Sequence, residues 1–476
     1  MFFRRILALV ALFPLTLLLV ASCTPDGSLP QTAAPARPAS AADADLPREI
    51  EREVGPIYPS PPLHALVERV GQKLVAASGL PGPFHFYVLD EPVPNAHAVS
   101  SGYVFVTRGL LAMIDDDAEL AAAIGHELGH VELKHGAQRE KIRRSVMEAA
   151  VDAALTSGSA TVGRSVAREG MLKLRRYSRD QELEADKAGV GYLVRAGFRA
   201  DAMISLIEKL QRELKLEDKI IGIEADTERS AFATHPDPDQ RLAALRSLPE
   251  AHTPGAADRP GYLALIDGLS IDDSPEEGFV RGSAFLHPIM RIAFQMPADF
   301  QLFNDHDGVL GVGRDRSMVY FSCTDQKVEG RLDAWMRDKL QPTPTDIQET
   351  EIGGAEAAIG AKPRGSDTGL GQVRYVLIRR PDGLCYFSLL SEGADRDKRI
   401  EAMVAATRSF RTLSDAEVAA LRPYRLGIVS SAGQTANGLA ARMPYPTYKM
   451  EHLLTLNGVD DAAALMKLPS IKLVVP

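Results

Sequence analysis

The sequence predicts an α+β protein: a mostly helical N-terminal body with a small sheet, an α/β sandwich-like unit, and a small C-terminal module. Three observations predict it. Apolar residues recur at helical spacing through much of residues 63–206. After residue 278 the texture changes to short apolar and aromatic runs divided by turn residues. Stretches rich in Pro, Ala and small polar residues at 24–47 and 249–261 set these textures apart. A length of 476 residues leaves room for several domains and a sizeable core. A net charge of −9, with no long basic run, argues against nucleic acid as the main partner.

Arg4 and Arg5 precede an apolar run over 6–20 that Pro14 interrupts and that is too short to span a bilayer comfortably. Val20-Ala21-Ser22-Cys23 then resembles a bacterial lipobox. The resemblance implies a signal peptide over 1–22, lipidation at Cys23, export to the periplasm and a membrane anchor. Thr24 in place of Asp implies sorting to the outer membrane. Residues 23–47 read as a flexible tether.

The folded body is expected from residue 48. Leu63, Val67, Val70 and Leu74 share one face of a helix over 63–77, and 84–89 reads as a strand. Residues 95–111 read as strand, turn at Ser101-Gly102, strand, then a lead into the next helix. A strand at the edge of a sheet can pair with an extended peptide backbone.

That next helix is AELAAAIGHELGHVELKHG, residues 118–136. Leu120, Ile124, Leu128 and Val131 form its apolar stripe, and three consecutive alanines favour it. It carries His126, Glu127 and His130 as H-E-x-x-H. Residues four apart share a helix face, so both imidazoles can reach one zinc ion, with Glu127 beside them as a candidate general base. His135, nine residues from His126, falls about 180° away on a continuous helix and is rejected as a ligand. Residues 139–175 read as a helical hairpin at the rim, and another helix opens near Tyr177. There Glu182 and Asp186, four apart, form the inward pair, while Glu184 points elsewhere.

HELGH, followed some fifty residues on by E-x-x-x-D within SRDQELEAD, resembles the HtpX-like and BepA-like zinc metallopeptidases, relatives of the CAAX prenyl proteases. Asn95 to Leu111, Phe198 to Leu206, and Thr234-His235-Pro236 with Arg241 are similar to further segments of that family. The chain departs from the pattern at His97 and at Ser100-Ser101-Gly102, near the expected substrate strand. The resemblance implies a zincin-type peptidase domain over 48–250 holding one zinc ion. His126, His130 and Glu182 would be its ligands and Asp186 would orient a ligand histidine. Glu127 would be the base, and His235 either an oxyanion stabiliser or a fourth ligand that holds the enzyme off. Arg241 would orient the loop or bind substrate.

Residues 251–277 read as a linker. Residues 278–415 form the strand-rich unit, weakly similar to PsbP-like sandwiches, with helices over 332–340 and 397–407. His287 and His306 read as surface or turn residues. Cys323 and Cys385 lie in strand-like runs; an exported chain permits a disulfide between them, and the sequence gives no distance. Residues 426–476 have the rhythm of a LysM-like module without its G-D-T. The resulting expectation is a lipid-anchored periplasmic zinc endopeptidase acting on misfolded or stalled envelope proteins. An envelope chaperone or assembly factor with a latent zinc site and a peptidoglycan-binding adaptor are the competing readings.

Overall fold

The computed structural model describes residues 46, 50–51, 54–99, 101–157, 159–221, 235, 238–271, 273–305, 308–315, 317–325, 327–340, 343–361, 372–392 and 395–476. The signal peptide, Cys23, nearly all of the tether and His306 lie outside the described residues.

Helix α1 (Pro61–Ser78) starts on two prolines, where missing N–H groups cost nothing, and stops at Gly79 in the left-handed conformation. Its buried face is the predicted one. Strand β1 (His85–Leu89) runs parallel to β3 (Tyr103–Thr107), and β2 (Ala96–Val99) pairs antiparallel on the other side of β3. The order β1-β3-β2 leaves β2 at an edge. Helix α2 (Arg108–Met113) leads to α3 (Asp117–Glu132), which the Asp116 carboxylate caps by accepting from the amides of Ala118 and Glu119 at 3.0 and 2.9 Å.

Helices α4 (His135–Ser157) and α5 (Ala160–Ala196) form the hairpin. The expected break before Tyr177 is absent, and α5 runs on for 37 residues. No Gly or Pro stands there, and Ser178 Oγ donates back to the Leu174 carbonyl at 3.0 Å instead of capping a new helix. Helices α6 (Ala202–Ile221), α7 (Pro238–Ser247) and α8 (Arg259–Ile266) complete the body. The stretch expected as a linker is packed for much of its length. Ala251, Tyr262, Leu263, Ile266 and Leu269 join the core of α1, α3 and α5, and the Tyr262 hydroxyl donates to the Leu111 carbonyl.

The strand-rich unit contains β4 (Phe279–Arg281), β5 (Ala284–His287), β6 (Ile292–Gln295), β7 (Phe300–Asp305), β8 (Gly308–Gly313) and β9 (Met318–Thr324). Helix α9 (Leu332–Lys339) precedes β10 (Thr345–Ile352), β11 (Ala355–Ala361), β12 (Gln372–Arg380) and β13 (Gly383–Ser391). Helix α10 (Arg396–Thr407), the short β14 (Arg411–Thr412) and α11 (Asp415–Ala420) close it. Seven strands form one sheet in the order β10-β11-β12-β13-β9-β8-β7; four form a second, β14-β6-β5-β4. Trp335 and Met336 of α9 cover one face of the larger sheet, while Phe285, Phe294 and Met403 pack against the other. Cys323 and Cys385 are register partners on β9 and β13 and are joined as a disulfide. His287 is not a surface residue. It is 5 % exposed in β5, and its Nδ1 accepts from the Met290 amide at 3.2 Å.

The C-terminal module is β15 (Arg425–Ser430), α12 (Ala436–Arg442), α13 (Lys449–Leu456), α14 (Ala462–Leu465) and β16 (Ser470–Val475), with β15 antiparallel to β16. It docks on the helical body. Leu426 enters that body's core and exchanges backbone hydrogen bonds of 2.8 Å with Gly268 and Leu269. The fully buried Lys472 donates to the carbonyls of Ala112, Met113 and Ile114 at 2.9, 2.7 and 3.0 Å.

Candidate active site

The site lies where α3 and α5 press together backbone to backbone. A Cβ on Gly129 would stand 2.9 Å from the Ala185 carbonyl oxygen, and one on Gly189 would stand 3.1 Å from the His126 amide. Small residues at these contacts bring Glu182 and Asp186 opposite His126 and His130. All four are buried.

His126 Nε2 and His130 Nε2 are 3.0 Å apart. Glu182 reaches both, with Oε2 at 3.2 Å from His126 Nε2 and Oε1 at 3.3 Å from His130 Nε2. His235 closes the cluster, its Nδ1 3.0 Å from His126 Nε2 and 2.8 Å from Glu182 Oε2. These donors suit zinc in chemistry and in spacing. Ligands about 2.1 Å from a tetrahedral ion stand roughly 3.4 Å from one another. Glu182 Oε1 is buried without a hydrogen bond, a cost that a cation in the cluster would relieve.

A further layer holds these groups in place. Asp186 Oδ1 meets His126 Nδ1 at 2.8 Å, leaving Nε2 turned to the cluster. Arg241 of α7 forks onto Asp186 at 2.8 and 2.6 Å and is itself buried. Arg241, expected to orient the loop or bind substrate, also stands 3.5 Å from Glu182 Oε2. His135 was rejected as a ligand because it would point away on a continuous α3. The helix instead ends at Leu133 and Lys134 turns with φ 54°, so His135 opens α4 with its Nδ1 2.9 Å from His130 Nδ1. It supports His130 as Asp186 supports His126, a role that sequence periodicity missed because it presumed one unbroken helix. Its Nε2 in turn meets Glu184 at 3.1 Å.

Charge in the site follows from burial set against these partners. Burial pushes the Glu127 carboxyl up. Burial also opposes ionisation of Glu182, but His235, His126 and His130 outweigh it and hold the carboxyl well below the usual range. Burial resists the charge on Asp186 too, and Arg241 overcomes it, bringing Asp186 down to about 2. Burial takes His130 down to about 3, which keeps it a neutral donor of a lone pair. Burial and Arg241 disfavour charge on His126, while hydrogen bonds to Asp186 and Glu182 prevail and lift it to about 9.

Glu127 Oε2 accepts from the amide of Ala98 on edge strand β2 at 3.1 Å, and its Oε1 stands 3.5 Å from His235 Nε2. His97 stacks on Phe105 at 5.1 Å, and burial lowers it to about 4. Cys323 and Cys385 belong to the separate strand-rich unit and take no part here.

Comparison with known proteins adds to this geometry. The family model described as Peptidase family M48 matches residues 62–249. The chain is 29 % identical over 214 residues to the "Putative beta-barrel assembly-enhancing protease" of Vibrio cholerae, covering 42 % of each. It is 30 % identical over 209 residues to the "Beta-barrel assembly-enhancing protease" of Escherichia coli, covering 41 % of each. It is 30 % identical over 213 residues to the "Mitochondrial metalloendopeptidase OMA1" of Schizosaccharomyces pombe, covering 44 % of this chain and 60 % of that one. The chain thus spans less than half the length of the first two relatives. M48 metallopeptidases use zinc, in keeping with a cluster of two imidazoles and a carboxylate beside a buried glutamate. Over residues 62–249, then, this chain is similar to peptidase family M48.

Proposed function

We propose that the chain is a zinc metalloendopeptidase, lipid-anchored in the periplasm, that hydrolyses misfolded or stalled envelope proteins. One observation carries the reading: His126, His130 and Glu182 converge from two helices while Glu127 faces the same space from the edge-strand side. The protease names of the relatives, and the beta-barrel assembly in two of them, support it. The lipobox-like stretch ending at Cys23 supports the anchor and the outer-membrane location.

His126, His130 and Glu182 would hold the ion. Zinc, when bound, acts as a Lewis acid that makes water a stronger acid and polarises a carbonyl. Glu127 takes the proton of the attacking water and returns it to the leaving amine; its raised affinity for protons suits both transfers. Strand β2, at the edge of its sheet, can take an extended peptide, which aligns the scissile bond by backbone pairing and reads little side-chain sequence. The Ala98 amide keeps Glu127 aimed between strand and cluster.

A second reading has a specific observation behind it. His235 belongs to the four-residue donor set, and its ring stands where a fourth ligand would. In that position it would exclude water and leave an envelope chaperone or assembly factor whose peptidase site is latched. One experiment separates the two: zinc content and casein cleavage of wild type, Glu127→Gln and His235→Ala side by side. A peptidase loses cleavage in Glu127→Gln, on the order of 10²–10⁴-fold, with zinc retained. Raised cleavage in His235→Ala marks a latch, and lowered cleavage marks a stabilising role in the reaction. Wild type without zinc would sink both readings.

A further inference from the structure

Four of the large apolar side chains left most exposed fall on one feature, the α4–α5 hairpin. Leu155 is 78 % exposed, Val151 55 %, Met147 51 % and Val162 42 %. Met147, Val151 and Leu155 follow one another at intervals of four and so form a single stripe on α4, with Val162 just across the turn on α5. Inward-facing residues already pack the two helices together: a Cβ on Gly170 would stand 2.4 Å from a Val146 methyl. The stripe is therefore surplus to the packing of the hairpin.

Arg143 heads the same stripe one turn before Met147 and is exposed along with Lys141 and Arg144. Glu140 pairs with Arg143 and Arg144 at 2.8 and 3.9 Å and offsets one of these charges. Residues 139–179 contain ten Lys and Arg against four Asp and Glu, in a chain whose net charge is −9. An apolar stripe with cationic side chains at its base, on a projecting helical pair, fits an element that lies in a bilayer interface. Exposed Glu148 and Asp152 on the adjoining face of α4 argue against burial of the whole tip. No described helix is long and apolar enough to cross a membrane.

We propose that the stripe Met147–Val151–Leu155, with Val162, docks on the surface of an anionic lipid bilayer, its side chains at acyl depth and Lys141, Arg143 and Arg144 among the headgroups. The occupant is lipid, not a second copy or a client peptide, because the excess of positive charge on this hairpin complements anionic headgroups and repels its own like. From Arg143 to Leu155 the helix rises about 18 Å, so the cationic end sits toward the base, where His135 joins the metal-site residues. Docking would not depend on catalysis.

The test uses the unacylated chain from residue 24 onward and sedimentation with vesicles of phosphatidylcholine, alone or mixed with phosphatidylglycerol. Wild type is expected to partition onto the mixed vesicles and to be partly released by salt. Met147→Ser/Val151→Ser/Leu155→Ser should reduce that partition by about tenfold or more while leaving casein cleavage by the free chain unchanged. Lys141→Gln/Arg143→Gln/Arg144→Gln should abolish the preference for anionic lipid. Tryptophan fluorescence of Leu155→Trp should shift to the blue on the mixed vesicles. No binding by wild type, or equal binding by the stripe variant, overturns the proposal. A wild-type dimer lost in the stripe variant gives the surface to a second copy and overturns it equally. Because every lipid readout is independent of cleavage, an inactive protein that still docks would refute the peptidase reading alone.

Discussion

Asp186 and Arg241 show how much of the site depends on residues that touch neither metal nor substrate. Asp186 fixes His126 through Nδ1, and Arg241 keeps Asp186 ionised inside the protein. Asp186→Asn should weaken zinc binding about 10–100-fold with the helices intact, as read by competition with a chromogenic chelator; unchanged affinity would count against the positioning role. At this scale the sequence was most informative where chemistry and helical period coincide. His126, Glu127, His130, Glu182 and Asp186 all follow from spacing of three or four, together with the family resemblance. His135 did not follow, because its place depends on a break at Leu133 and Lys134, where a Lys and not a Gly takes the left-handed turn. Gly129 and Gly189 also passed unnoticed: a glycine inside a helix reads as a weakness until the facing backbone is known.

At the scale of elements, long helices and apolar strands were legible, and polar or Ala-rich strands were not. Strand β10 is TDIQETEI, largely exposed at the end of the seven-stranded sheet, so alternation has no buried face to mark. Strand β11, AEAAIGA, reads as helix by propensity and is made a strand by its two neighbours. His287 gives the strand-rich unit a pH signature. Burial, then nearby Arg380, lowers it to about 4, and its neutral Nδ1 accepts the Met290 amide. Between pH 6.5 and 4 the unfolded chain takes up a proton that the folded chain refuses. The stabilising contribution is thus complete above 6.5 and is lost as pH falls through about 4, by at most about 3 kcal/mol. Thermal unfolding followed across this range should show the decline, and His287→Gln should flatten it.

For the molecule as a whole, the C-terminal module is part of the architecture that carries the metal helix. Lys472 binds the last carbonyls of α2 and pairs with Asp115 at 2.9 Å, immediately before the cap of α3. Lys209 of α6 reaches the same Asp115 at 2.9 Å. Lys472→Met keeps the volume, strands the three carbonyls and leaves Asp115 to Lys209 alone, so it should destabilise the protein by roughly 3 kcal/mol in chemical denaturation. A loss confined to residues 426–476, with the helical body unchanged, would mean that the module is only an appendage. The sequence offered no sign of this contact, since a lone Lys in an apolar strand gives no indication of the three carbonyls it will meet. The Lys472 clamp also has a meaning in time. Its partners lie 358–360 residues earlier, and a growing chain lengthens by about 5–20 residues per second, so the α2 carbonyls wait on the order of tens of seconds for their ammonium. A nascent chain therefore emerges with its metal helix unfinished at one end, and the final strand acts as the late step that completes it.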